Sequence, residues 1–221
     1  MSDDSFIREV NEEYRKEQAR VMWRRFGPAA IGVALAVVLG TAAWVGYDYW
    51  AQSRANAAGD RFSAALNLAR DGRTDEALAA LAALEKDGYG AYPVLAKMRT
   101  GTVLAGKGDH AGAVAAFDAV ANDGSVPEAI RDMARLRAGL VLVDNGSYAD
   151  VSQRVETLTS DTNALRFAAR EALGLAAWKE NRGADALALF DQITGDPAAP
   201  GNLRRRAEMM SELIRGSVSP S

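Results

Sequence analysis

The chain has 221 residues with 26 basic and 29 acidic side chains, a formal charge of −3 and a pI near 5.3, so it lacks the global basic field that gathers nucleic acid. It has no cysteine and one histidine, which removes disulfides, thiol nucleophiles, cysteine metal sites and lipidation of an N-terminal cysteine. A cysteine-free chain also suits an oxidising compartment such as a bacterial periplasm.

Residues 1–25 are densely charged and helical in pattern. Phe6, Val10 and Tyr14 recur every four residues, with Ile7 beside them and Val21 further on, while Glu and Arg occupy the other faces. This arm reads either as an amphipathic helix lying on a membrane surface or against a partner's cytoplasmic loop, or as a marginal helix held by its own charge pairs.

Residues 26–50 read as a transmembrane helix. Phe26 to Tyr47 is a run of 22 residues without a charge. As a helix it spans roughly 33 Å, against about 30 Å of bilayer hydrocarbon. Arg15, Lys16, Arg20, Arg24 and Arg25 crowd its N-terminal edge, whereas only Arg54 and Arg61 follow it closely, so the N-terminus is expected in the cytoplasm. Trp23 on one side and Trp44, Tyr47, Tyr49 and Trp50 on the other form the aromatic belts of the two interfaces. A cleaved signal peptide is the rival reading, with Thr41-Ala42-Ala43 as its site, but 25 residues are long for a signal's n-region. Pro28 is expected near the helix start, where its missing donor costs little. Gly32, Ala36 and Gly40, four apart, form a stripe of small residues on which another membrane helix can pack closely, although an Ala- and Gly-rich span also meets that spacing by chance.

Residues 51–200 carry an internal repeat of helical hairpins. Segment 51–61 has no proline and one glycine, so the span is expected to run almost directly into the first repeat helix. Breaks at 71–74, 106–109, 145–148 and 181–184 read as turns. Four segments align: a small residue (Ala65, Gly101, Gly139, Gly174) is followed three positions on by Leu68, Leu104, Leu142 or Ala177. Twelve residues after the small position come Ala77, Ala113, Val151 and Ala186, then Leu81, Phe117, Val155 and Phe190, then Leu84, Val120, Leu158 and Ile193. Small residues let the helices of a hairpin approach, and the larger ones fill the space toward the next hairpin. Pro93, Pro127 and Pro200 fall where first helices begin. Residues 201–215 read as a helix capping the array, apolar at Leu203, Ala207, Met210 and Ile214, and 216–221 as a loose tail.

The inventory for catalysis is thin. His110, at the start of a second helix, has no second histidine or cysteine with which to build a metal site or a nucleophilic pair. GTVLAGKG (101–108) mimics a phosphate-binding loop but ends in Gly108 rather than Ser or Thr and follows no strand. Asp75, Asp109 and Asp185 stand at helical turns and caps, where capping and solvation explain them better than acid/base work. No cofactor is expected and the chain is not expected to be an enzyme. Arg204, Arg205 and Arg206 read as a solvated cap or as a patch for an acidic partner.

The repeat resembles the tetratricopeptide repeat, an all-α solenoid of about four hairpins here, with Arg61, Lys97, Arg135 and Arg170 in place of that family's tryptophan. The resemblance implies a groove lined by first helices, with Phe62, Leu66, Met98, Leu136, Leu140, Leu175 and Trp178 as candidate lining; Leu and Met at this spacing are more often packed inside. The opening FIREVNEEYRKEQARVMWRRFGP, the span and the repeats together resemble the YfgM-like ancillary subunits of the bacterial SecYEG translocon. That likeness implies a single-pass inner-membrane protein with a periplasmic C-terminal domain, partnered by the Sec translocon and a periplasmic chaperone or isomerase and assisting exported proteins. The alternatives are a scaffold for envelope assembly or cell division and, from another class, an envelope enzyme.

Overall fold

The computed structural model describes residues 3–218, with side chains for residues 13–217 except at position 30. Within them the chain is all-helical and no strand occurs. It divides into two compact units, Met1–Asn56 and Ala57–Ser221.

Helix α1 (Asp3–Arg70) supplies the described part of the first unit and the first helix of the second. Pro28 lies inside α1 rather than at a helix start. It withdraws one donor from the ladder, a loss that membrane helices tolerate where nearby groups satisfy the freed carbonyl. Just before it, the Trp23 indole lies over Gly27, which is buried beneath it, and a Cβ there would stand 3.4 Å from the ring. Further on, Tyr47 and Trp50 are tilted against each other at 6.1 Å, and the Arg54 guanidinium lies 5.1 Å from the Trp50 ring centre.

The second unit stacks hairpins. The end of α1 pairs with α2 (Thr74–Asp87), α3 (Tyr92–Lys107) with α4 (His110–Ala121), and α5 (Glu128–Asn145) with α6 (Tyr148–Val155) and its 3-10 extension Glu156–Thr159. Helix α7 (Arg166–Lys179) pairs with α8 (Gly183–Thr194), and α9 (Gly201–Val218) closes the array. Each second-helix position of the repeat is sealed, from Ala77, Leu81 and Leu84 in α2 to Ala186, Phe190 and Ile193 in α8, and none of the twelve is more than 2% exposed. The small residues explain how. A Cβ added to Gly101 would meet the Phe117 ring at 2.8 Å, one on Gly174 the Phe190 ring at 2.8 Å, and one on Gly139 would run into Val155. The large side chain of each second helix therefore sits on the backbone of its own hairpin partner, as well as filling space toward the next hairpin.

Several polar bonds join residues about one repeat length apart. Lys107 reaches Asp75 (2.7 Å), Arg154 reaches Asp118 (2.9 Å), and Lys179 donates to the carbonyls of Val143 (2.7 Å) and Gly146 (2.6 Å) at the end of α5. Each ties one hairpin to its neighbour. Arginines in the tryptophan position do likewise: Arg135 donates to the carbonyl of Ala121 (3.4 Å) and Arg170 to that of Thr159 (2.8 Å). Both carbonyls lie at the C-terminal end of the preceding second helix, where a cation is favoured.

The closing helix runs to Val218, three residues past the expected end at Arg215. Nothing in Gly216-Ser217-Val218 terminates it, and Ser217 Oγ donates back to the Ile214 carbonyl at 2.8 Å. The last three residues of the expected loose tail lie outside the described residues.

Candidate interaction surface

Helix α1 of the first unit is bare. Among the described residues it is the one helix long and apolar enough to cross a membrane, and none of its most apolar window is buried. Gly32, Ala36 and Gly40 are all exposed, and a Cβ on either glycine would meet nothing within 4 Å. The stripe is thus open to another helix along its length. Tyr14 is exposed; Phe6 and Val10 lie outside the residues whose side chains are described.

In the repeat unit the seven candidate groove residues separate. Leu136 is buried. Phe62, Met98, Leu175 and Trp178 are half-buried against the cores, Phe62 with the Tyr92 ring at 5.9 Å. Leu66 is half-buried, and Leu140 alone of the seven is exposed. Three further apolar residues of first helices, not among these seven, are also exposed: Leu95 on α3, and Ile130 and Met133 on α5. Leu95 and Met133 both stand six residues before their hairpin's small position. That shared register was the signal available in the sequence.

The decoys resolve by geometry. Residues 101–107 are helical, Gly108 ends α3 with a left-handed φ of 87°, and Lys107 is held by Asp75, so this stretch is a helix terminus and not a phosphate cradle. Asp109 caps α4 by accepting from the N–H of Gly112 at 2.9 Å. In the arginine cluster, Arg204 donates to the carbonyls of Asp196, Pro197 and Ala199 and clamps the loop before α9. Arg206 grips Glu171 through two bonds of 2.6 and 2.8 Å. Two of the three guanidiniums are therefore structural.

Displaced titrations follow local partners. The Ser147 hydroxyl and N–H hold the Asp150 carboxyl below its ordinary value, and those of Ser125 do the same for Asp123. Hydrogen bonding to Asp75 raises Lys107, and to Glu171 raises Arg206. The four groups serve a helix cap, a loop turn and two ion pairs at separate places along the chain. Among the described residues no group of three or more histidines and carboxylates converges to hold a metal ion.

Comparison with known proteins finds a family for the sequence. A family model described as a tetratricopeptide repeat-like domain matches residues 20–192. No curated protein matches the chain, and no solved structure does. Since the match covers well over half of the chain, and the stacked hairpins follow the period read from its residues, the protein belongs to the tetratricopeptide repeat-like domain family.

Proposed function

We propose that the protein is a single-pass inner-membrane scaffold, its N-terminus cytoplasmic and its repeat domain periplasmic, which joins the Sec translocon and a periplasmic chaperone or isomerase to assist exported proteins. A domain of this family is a protein-interaction scaffold and typically non-catalytic. The observation that carries the reading is the uncharged segment of α1, none of whose most apolar window is buried, with its open stripe at Gly32, Ala36 and Gly40, on the same chain as that scaffold. Exposed apolar area of this extent needs a lipid or protein cover. The basic flank before the span supports the orientation, and the likeness of the opening segment to YfgM-like subunits supports the choice of translocon.

The test is affinity capture from membranes solubilised in mild detergent, read by mass spectrometry. Wild-type chain is expected to recover translocon subunits, and Gly40→Leu, which fills the stripe, to recover less. Recovery of cell-division or wall-synthesis proteins alone would move the scaffold to envelope assembly. Protease added to intact spheroplasts is expected to digest the repeat domain; protection until lysis would reverse the orientation.

A further inference from the structure

Within residues 57–217 the most exposed large apolar side chains are Met209 (61%) and Leu213 (56%), one turn apart on the closing helix α9. Ala207, Met210 and Ile214 turn the other way and pack on the core shared with α8. Arg205, Met209 and Glu212 follow at spacings of four and three, and Leu213 stands beside Glu212, so these four exposed residues share the outward face. The terminal helix of a solenoid keeps an array soluble by turning a polar face to water. Two uncovered apolar side chains at the middle of that face depart from the rule.

The charges around them change sign along the helix. Arg204, Arg206 and Arg215 are engaged within the chain, on loop carbonyls, Glu171 and Asp191. Among the described residues Arg205, Glu208 and Glu212 enter no ion pair. The unmatched cation therefore stands one turn before Met209 and the unmatched Glu212 nearly one turn after it, with Glu208 at the rim. A face whose charge reverses about a central apolar residue is complementary to itself turned through 180°, which is the requirement of a two-fold contact between identical chains. An anionic lipid surface would meet two carboxylates for each guanidinium.

We propose that two copies of the chain pair through the outward face of α9, antiparallel about a two-fold axis at Met209. In that register the two Met209 side chains meet. Arg205 comes level with Leu213 of the other copy and about 1.5 Å along the axis from its Glu212. The arginine stem covers the leucine and the guanidinium reaches the carboxylate, twice per pair. Gly216, where a Cβ would meet nothing within 4 Å, leaves the end of the contact open. One helix face per copy buries less than the about 1,600 Å² of a standard interface, so the pair is weak and reversible. The pairing goes beyond the scaffold reading and requires none of its partners.

Because the chain has no cysteine, single cysteines placed in the full chain report the register in native membranes under a mild oxidant. Met209→Cys is expected to yield a disulfide-linked dimer, since a disulfide needs Cα atoms within about 7 Å. Leu213→Cys alone, whose two copies would stand about 12 Å apart along the axis, is expected to link little, and Leu213→Cys mixed with Arg205→Cys to link well. Ala83→Cys, exposed on α2, gives the background of chance collisions. In detergent, sedimentation of the wild-type chain is expected to show a monomer–dimer equilibrium. Arg205→Glu or Glu212→Arg is expected to weaken it roughly tenfold, and Arg205→Glu/Glu212→Arg to restore it. Circular dichroism melts establish that each variant is folded. Linking at Met209→Cys no greater than at Ala83→Cys, equal linking by Leu213→Cys alone, or failure of the double charge reversal to restore the dimer overturns the proposal. Linking of Met209→Cys to a different protein in place of a second copy overturns it as well.

Discussion

At Gly139 two effects of opposite sign meet. Replacing a helical glycine by alanine ordinarily stabilises by about 1 kcal/mol, because alanine loses less backbone freedom on folding. Here the new Cβ would run into Val155, a side chain that is fully buried and, being β-branched, stiff. Overpacking of this kind costs about 1–3 kcal/mol, so the clash wins. Gly139→Ala is expected to lower the urea midpoint of the chain in detergent, and adding Val155→Ala, itself destabilising by about 2 kcal/mol, to cost less than the sum of the two. A raised midpoint for Gly139→Ala would show that the hairpin does not close on this contact. The small and large repeat positions were legible because burial imposes a period on residue size. The arginines in the tryptophan position were legible only as departures. Their role depends on where the preceding helix ends: Arg170 is 5% exposed, bonded to the Thr159 carbonyl and paired with Asp161, and no local pattern in the sequence marks that carbonyl as its partner.

Among the elements, α6 is the short one, eight residues before its backbone tightens into a 3-10 turn. A helix of that length is marginal by itself, so its start matters. Ser147 and Asp150 form a capping box: the Asp150 N–H donates to Ser147 Oγ at 3.2 Å, while the Ser147 N–H and hydroxyl donate to Asp150 Oδ2 at 2.9 and 2.7 Å. The hydrogen bonds from Ser147 depress the folded carboxyl below its unfolded value. A depressed carboxyl contributes stability that is full above the unfolded pKa, near pH 4, and that fades as pH falls through the folded pKa. Ser147→Ala is therefore expected to lower the melting temperature most at neutral pH, with a gap to wild type that narrows in acid. Asp150→Asn should flatten that dependence, and a gap independent of pH would mean the box does not form. The turns and the prolines opening α3, α5 and α9 were readable from composition, because glycine, proline and short polar side chains act locally. The interaction face was readable only in part. Spacing from the small residue finds the first helices, but which of their apolar residues stay uncovered depends on the neighbouring hairpin. Leu136 sank into the core while Leu95 and Met133 stayed out.

On the scale of the repeat unit, stability is a chain of nearest-neighbour interfaces, and its weak point is the end where one neighbour is missing. Helix α9 supplies that neighbour. It lays Ala207 and Ile214, both fully buried, over Phe190 and Ile193 of α8, and it is pinned by Arg206 to Glu171 and by Arg215 to Asp191 at 3.0 Å. The two exposed ion pairs contribute about 0–1 kcal/mol each, whereas truncating one buried isoleucine costs about 2–5 kcal/mol, so the apolar seam decides whether the cap holds. Ile214→Ala is accordingly expected to loosen the array from its C-terminal end, while Arg215→Gln changes little. Hydrogen exchange is the measurement. In Ile214→Ala the amides of α8 and α9 should lose protection before those of α3 and α4, because each interface nearer the start of the array still has both partners. Uniform loss of protection across all the hairpins would instead make the domain one cooperative block, and the seam under α9 no weaker than any other.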